Sequence, residues 1–234
     1  MKDLFGKAIL DFQTNNNPEN IITETSISSA DEMSVDYLFR SYLQMPKIEQ
    51  KALELCFGRI LDVGCGAGSH SLYLQNNKNL DVLPIDISAN AIEACKLRGL
   101  NNTANINVLD LENQKFDSIL LLMNGTGIFE TLENVSKYLQ KLKSLLNKDG
   151  QILIDSTDLI FMYDDDEKDF LKNSSEIYYG QIMFSISYKN EIEEPFPWLY
   201  LDFETLQNLA NKNKLQCQMI LEGENYNYLA RLFV

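Results

Sequence analysis

A short apolar run, Ile60, Leu61 and Val63, leads directly into three glycines on alternate positions, Gly64, Gly66 and Gly68. The run has the character of a buried parallel strand. The glycines supply backbone angles closed to other residues and let a bound molecule approach the main chain. Leu72, Tyr73 and Leu74 then begin a helical segment. Strand, glycine turn and helix in that order place unpaired N–H groups and the positive end of a helix dipole at the turn. A carboxylate or phosphate is favoured there.

Spacing separates the candidate ligands. A dinucleotide loop reads G-x-G-x-x-G. Here the glycines read G-x-G-x-G, and Ser69 stands where the third glycine of the dinucleotide pattern would be. Asp62 lies just upstream, inside the apolar run. The string D-V-G-C-G-A-G resembles the S-adenosylmethionine (SAM) loop of class I methyltransferases. The resemblance implies a cofactor site containing Asp62, Gly64, Cys65, Gly66 and Gly68. It covers about residues 58–160 by motif and 200–234 by topology. The strings L-M-N-G-T-G-I-F, I-D-S-T-D and W-L-Y-L-D-F are similar to those of small uncharacterised bacterial methyltransferases, a likeness that names no substrate.

Beyond the loop, strand and helix alternate. Strands are predicted over 80–86, 106–109, 117–123 and 151–155, with a helix capped by Ser88 and a long amphipathic one over 131–146. Such alternation means a parallel sheet covered by helices on both faces. Pro84 is a misfit in an internal strand, because it removes a ladder donor; a bulge or an early strand end is expected. After residue 156 the rhythm changes. An acidic stretch at 164–169 reads as a solvated loop. Residues 178–189 read as extended, and 191–198 as a proline-marked connection. A helix over 203–212, N-capped by Asp202, precedes strands at 215–221 and 228–234, joined by the hairpin signal G-E-N-Y-N. The resemblance implies a Rossmann-like, mostly parallel α/β sheet of seven strands with the last antiparallel. About 160–199 would be an insertion in a SAM-binding domain of residues 59–234.

Residues 1–58 are expected to form an N-terminal helical lid segment. Phe5, Ala8, Ile9 and Phe12 recur at helical spacing. Tyr37, Leu38, Phe39, Tyr42 and Leu43 suggest an aromatic helix, and Lys47–Phe57 a further one stopping at Gly58. The aromatic stripe serves packing on the sheet or, alternatively, brings Arg40 or Tyr42 to a substrate.

Several side chains stand at strand ends, where α/β sheets bind ligands. Asp86 ends the second strand about twenty residues after the loop, where a carboxylate accepts both ribose hydroxyls. The resemblance gives Asp110 the adenine amino group and Leu111 or Ile87 the face of the ring. Met123 and Asn124 follow the fourth strand. Asn124 would hold the SAM amino group, orient a substrate, or simply shape a turn. The turn departs from the N-P-P-Y type of DNA amino-methyltransferases. Asp155 and Asp158 follow the fifth strand as acids for a substrate amine or as turn caps. Trp198 packs the insertion or stacks on substrate. His70, the only histidine, lies just inside the helix after the loop, as a cofactor contact or a general base.

Composition narrows the partners. With net charge −14 and no clear basic stripe, the chain is poorly matched to phosphate backbones, so a nucleic-acid substrate is disfavoured. A small-molecule acceptor is expected. Four scattered cysteines and one histidine offer neither a disulfide framework nor a zinc site, so no metal is expected and a cytoplasmic setting is. No apolar run reaches membrane-spanning length. The expected function is in-line methyl transfer from SAM, which needs alignment more than acid–base groups. A SAM-binding protein without catalysis and an NAD-binding oxidoreductase are the alternatives. The oligomeric state is left open.

Overall fold

The computed structural model describes residues 2–166, 168 and 178–234. A seven-stranded sheet forms its centre. Its members are β3 (Ile60–Val63), β4 (Val82–Asp86), β5 (Ala104–Asn105), β6 (Phe116–Leu121), β7 (Leu146–Thr157), β11 (Gln216–Glu222) and β12 (Asn227–Phe233). They run in the order β11-β12-β7-β6-β3-β4-β5. The pairs from β7 across to β5 are parallel, and β12 is antiparallel to both its neighbours. This is the expected topology.

Alternation along the strands divides the core into two faces. Leu61, Ile119, Ile152 and Ile154 face one buried cluster with α5 (Val135–Ser144) and α6 (Phe203–Lys212). Ile60, Leu120 and Leu153 face another with α2 (Lys47–Leu55) and α3 (Ser69–Asn76). Each buried branched side chain contributes about 1.5–3 kcal/mol relative to exposure. The strands are therefore held from both sides. Asp202 caps α6 as expected, accepting from the Thr205 N–H.

Pro84 sits inside β4 without a bulge, because its missing donor costs nothing there. The carbonyls of Asp81 and Ile85 bond toward β3. Pro84 therefore points its nitrogen toward β5, which pairs only with Ile85 and Asp86. The third strand lies ahead of the predicted 106–109, at Ala104–Asn105 only, and none of the predicted residues is strand, for a local reason. The Asn107 side chain accepts from the Leu109 N–H and turns Val108–Asp110 into a 3₁₀ turn. The fifth strand is longer, beginning at Leu146.

A second, antiparallel sheet was not foreseen. β1 (Ile21–Thr25) and β2 (Ser28–Met33) form a hairpin, and β1 also pairs with β8 (Gln181–Tyr188) of the insertion. β9 (Glu191–Ile192) and β10 (Phe196–Leu199) flank β8. The proline-marked connection is thus partly strand. Pro197 is accommodated because β10 is an edge. The hairpin's own sequence, I-I-T-E-T and S-S-A-D-E-M, is mostly exposed; its partner lies about 160 residues downstream in the register Ile21 to Tyr188.

The N-terminal segment is helical only in part. α1 (Leu4–Thr14) and α2 are present, but the aromatic stripe forms two 3₁₀ turns, Val35–Phe39 and Tyr42–Gln44, broken at an extended Arg40. α1 packs against α4 (Ala89–Leu97) and the second sheet. The insertion clasps α1 at both ends. Glu193 accepts the N–H groups of Lys2, Asp3 and Leu4, supplying from across the chain the cap that a side chain of the helix itself would otherwise give. Tyr188 and Lys189 hold Asp11. Residues 169–177, within the expected insertion, and Glu167 and Asp169 of the acidic stretch lie outside the described residues.

Candidate functional site

The glycine loop lies at the carboxyl end of β3. Gly64, Gly66 and Gly68 all have positive φ, at 70°, 51° and 78°. Their surroundings differ. A Cβ on Gly64 would meet only Ile128, at 3.9 Å, and one on Gly66 only Ile9, at 3.9 Å. On Gly68 it would strike Leu100 at 2.4 Å and Cys95 at 2.8 Å. The first two glycines border free space, and the third lets the loop pack on α4.

Two acids frame this cradle. Asp62 is buried beneath it and takes both the hydroxyl and the backbone N–H of Ser71. It braces the first turn of α3. Burial raises its pKa, an effect that His70 and Ser71 partly offset. Asp86, at the end of β4, accepts the Gly66 N–H on one oxygen and the Ser88 N–H on the other, each at 2.9 Å. Burial raises its pKa too, against those two N–H groups. Ile87 follows with 59% of its surface exposed. Asp110 is exposed and Leu111 buried. Cys65 is buried, with its sulfur 3.9 Å from that of Cys95.

At the end of β6, Met123 and Asn124 both have positive φ. Asp155 fixes this turn by accepting the N–H groups of Met123, at 3.1 Å, and Gly125, at 2.9 Å. Burial pushes Asp155 up to about 6 despite those bonds, with Glu49 adding to the rise. The Asn124 side chain is engaged with Ser156, Thr126 and the Leu199 carbonyl. Met123 is partly exposed.

The cradle, the Asp86 rim and the turn after β6 therefore share the carboxyl edge of a parallel sheet, where such folds bind ligands. A methyltransferase domain family matches residues 58–227. The full chain also matches a crystal structure of a SAM-dependent methyltransferase from Bacteroides fragilis in complex with S-adenosyl-L-homocysteine. The identity is 43% over 100% of this chain and 95% of that one, with a TM-score of 0.90. This chain belongs to the SAM-dependent methyltransferases. Two more distant methyltransferase structures share the fold. One from Clostridium acetobutylicum has 16% identity over 80% of this chain and 89% of that one, TM-score 0.57. One from Methanosarcina mazei has 18% over 74% and 89%, TM-score 0.53. No curated protein sequence matches the chain.

The sequence-predicted substrate residues of this methyltransferase have varied placements. Arg40 is buried in an ion pair with Glu49 and lies over the Tyr37 ring. Tyr42 stacks on Tyr73 at 4.2 Å and bonds Glu54, on the packing surface between α2 and α3. Asp158 caps a 3₁₀ turn at Ile160 and accepts from the Tyr179 hydroxyl. Trp198 packs against Gly127 and near Phe184 and Phe196. Two residues of the neighbourhood had no sequence signal. Glu49 sits on an ordinary amphipathic helix and joins His70 at 2.7 Å. Tyr200 is half-buried; burial and the charge of Asp155 raise its pKa.

Proposed function

We propose that this methyltransferase holds SAM across the glycine cradle and transfers its methyl group in line to a small-molecule acceptor. The open space beside Gly64 and Gly66 supports this reading most directly, because a side chain at either position would fill it. Bound SAM supplies a sulfonium methyl group already activated for transfer. The chain's part is to bind and align. Asp86 receives the ribose hydroxyls and the exposed Ile87, rather than the core-packed Leu111, covers the adenine face, with Asp110 at its amino edge. Cys65 and Gly68 shape the loop, and Asp62 stiffens the helix behind it. Met123 and Asn124 form the wall beside the methionine portion, with Asn124 acting through its backbone because its side chain is occupied. Asp155, Asp158, Arg40, Tyr42 and Trp198 are the acceptor-side candidates. Of these, Asp155 is favoured, as its carboxylate is bonded to the turn after β6 that would form the wall of the site. Tyr42 is the least favoured.

Residues 1–58 act as the lid over this site, held down by the insertion about 160–199. The wall so formed suits a small acceptor better than a nucleic acid. The four cysteines are free thiols, which fits a reducing cytoplasm. No described helix is long and apolar enough to cross a membrane.

Calorimetric titration with SAM, S-adenosylhomocysteine and NAD tests the reading. Binding of both sulfur ligands without NAD is expected. Binding of NAD alone, or of none of the three, would overturn it.

A further inference from the structure

Three ionisable side chains from separate segments meet at the start of α3. Arg40 precedes α2, Glu49 lies on it, and His70 occupies the first turn of α3. Glu49 Oε2 receives an Arg40 guanidinium N–H at 2.5 Å and stands 2.7 Å from His70 Nε2. All three residues are buried. Burial pushes the Glu49 carboxyl up, but the His70 bond and the Arg40 charge outweigh it and hold the group below its usual value.

An ionised Glu49 can only accept, so the hydrogen of this contact sits on His70 Nε2. In the neutral ring the lone pair is then on Nδ1. That atom has no hydrogen-bond partner among the described residues, and it is absent from the sealed unpaired ones, Arg40 Nε, Asn227 Oδ1 and Arg231 Nε. The ring also lies within electrostatic reach of Asp62 and Asp155, on β3 and β7. These strands flank β6, at the edge where the glycine cradle opens. A carboxylate that fixes an imidazole tautomer and leaves the other nitrogen free is the arrangement of a base with its orienting group.

We propose that His70 Nδ1 takes a proton from the methyl acceptor, that Glu49 is its positioning residue, and that the acceptor is protic, an amine or a hydroxyl compound. This rests on the methyltransferase reading of the site. The acceptor's lone pair forms the new bond to the methyl carbon. The methyl–sulfur bond breaks, and its electron pair stays on sulfur as a neutral thioether. The acceptor proton passes to Nδ1 and then to water. The fixed charge of Arg40 keeps Glu49 ionised, so the proton rests on the imidazole.

His70 is the only histidine, so nitrogen NMR of tag-free labelled protein sees one imidazole. The expected result is a proton on Nε2, with an Nδ1 resonance that moves when S-adenosylhomocysteine is added. A proton on Nδ1, or a resonance indifferent to that ligand, overturns the proposal. Glu49→Gln should erase the tautomer preference; should it unfold the chain, Glu49→Asp provides the same test. In the activity arm, the protein receives SAM and a panel of small amines, phenols and carboxylic acids, and release of S-adenosylhomocysteine is followed. His70→Asn is expected to lower kcat by about 10²-fold or more with S-adenosylhomocysteine affinity unchanged. Full activity in that variant, or turnover of carboxylic acids alone, overturns the proposal. Failure of the unmodified protein to bind S-adenosylhomocysteine overturns the methyltransferase reading itself.

Discussion

The indole of Trp198 occupies the space directly beside Gly127, so that a Cβ on the glycine would lie 2.0 Å from Cε2 of the ring. Gly127 belongs to the 3₁₀ turn after β6, and Trp198 to β10 of the second sheet. Their contact ties the two sheets together at the candidate acceptor wall. Gly127→Ala must displace a rigid ring and is expected to cost about 1–3 kcal/mol. Trp198 is the only tryptophan, so urea unfolding and intrinsic fluorescence report the same event. An unshifted emission spectrum with unchanged stability would disprove the packing described.

Asp86→Ala removes the carboxylate that orders Gly66 and Ser88. If it also carries the ribose, SAM affinity should fall by on the order of 2–4 kcal/mol, given about 1.5–3 for each charge-assisted bond with partial compensation. Calorimetry on the folded variant decides. Unchanged affinity takes Asp86 out of the cofactor site.

The glycines should separate by phenotype. Gly68→Ala combines a strained φ with a collision against Cys95 and Leu100, and overpacking of this kind costs about 1–3 kcal/mol. Its melting temperature should drop most. Gly66→Ala bears a similar backbone strain but projects into open space, so it should lose S-adenosylhomocysteine binding out of proportion to stability. Equal stability losses in the two variants would argue against distinct roles.

Asp155 makes stability depend on pH in the opposite sense to an ion-paired acid. Its folded-state pKa, raised to about 6, exceeds that of the unfolded chain. Between the two values the native state holds a proton that the unfolded state lacks. Stability is therefore greater in the acid part of the window and falls as pH rises toward 6, by at most about 3 kcal/mol. Solvent reaching the carboxylate lessens the effect. Denaturant midpoints across this window should show that slope in the ligand-free protein, and Asp155→Asn should flatten it.

Removing one charge from the Arg40–Glu49 pair leaves the other buried. Glu49→Ala is expected to cost about 3–5 kcal/mol. Replacing both residues with apolar ones of similar size should cost far less. Thermal unfolding of the single and double variants measures the difference, and equal losses would show that the pair acts through volume alone.

The central sheet was legible because its signals are local. The apolar runs, the glycine loop and the Asp202 cap each act within a few residues, and they placed β3, β4, β6 and α6 nearly to their ends. The second sheet was not legible because its partners are remote. Nothing in I-I-T-E-T predicts a bond to Ile186 or Ser187. The aromatic stripe at 37–43 has helical spacing, yet the turn breaks at Arg40, where pairing with Glu49 holds the chain extended. The same limit applies to the candidate site. Asp86 and the glycines announce themselves by motif, whereas Glu49 acquires its position only through contact with His70.

The clasp between α1 and the insertion has a temporal consequence. Glu193 caps a helix that begins at Leu4, and β1 cannot complete its pairing until β8 exists. On a growing chain α1 can settle on α4 early, but its Glu193 cap and the pairing of β1 with β8 must wait until most of the polypeptide has been made. Long-range pairing of this kind is slow to form. The central sheet from β3 to β7 can assemble in the meantime, leaving the cradle accessible from above. If the N-terminal segment roofs the cradle as proposed, SAM present during synthesis enters before that roof closes, and the cofactor pool then acts as a folding partner as well as a reagent.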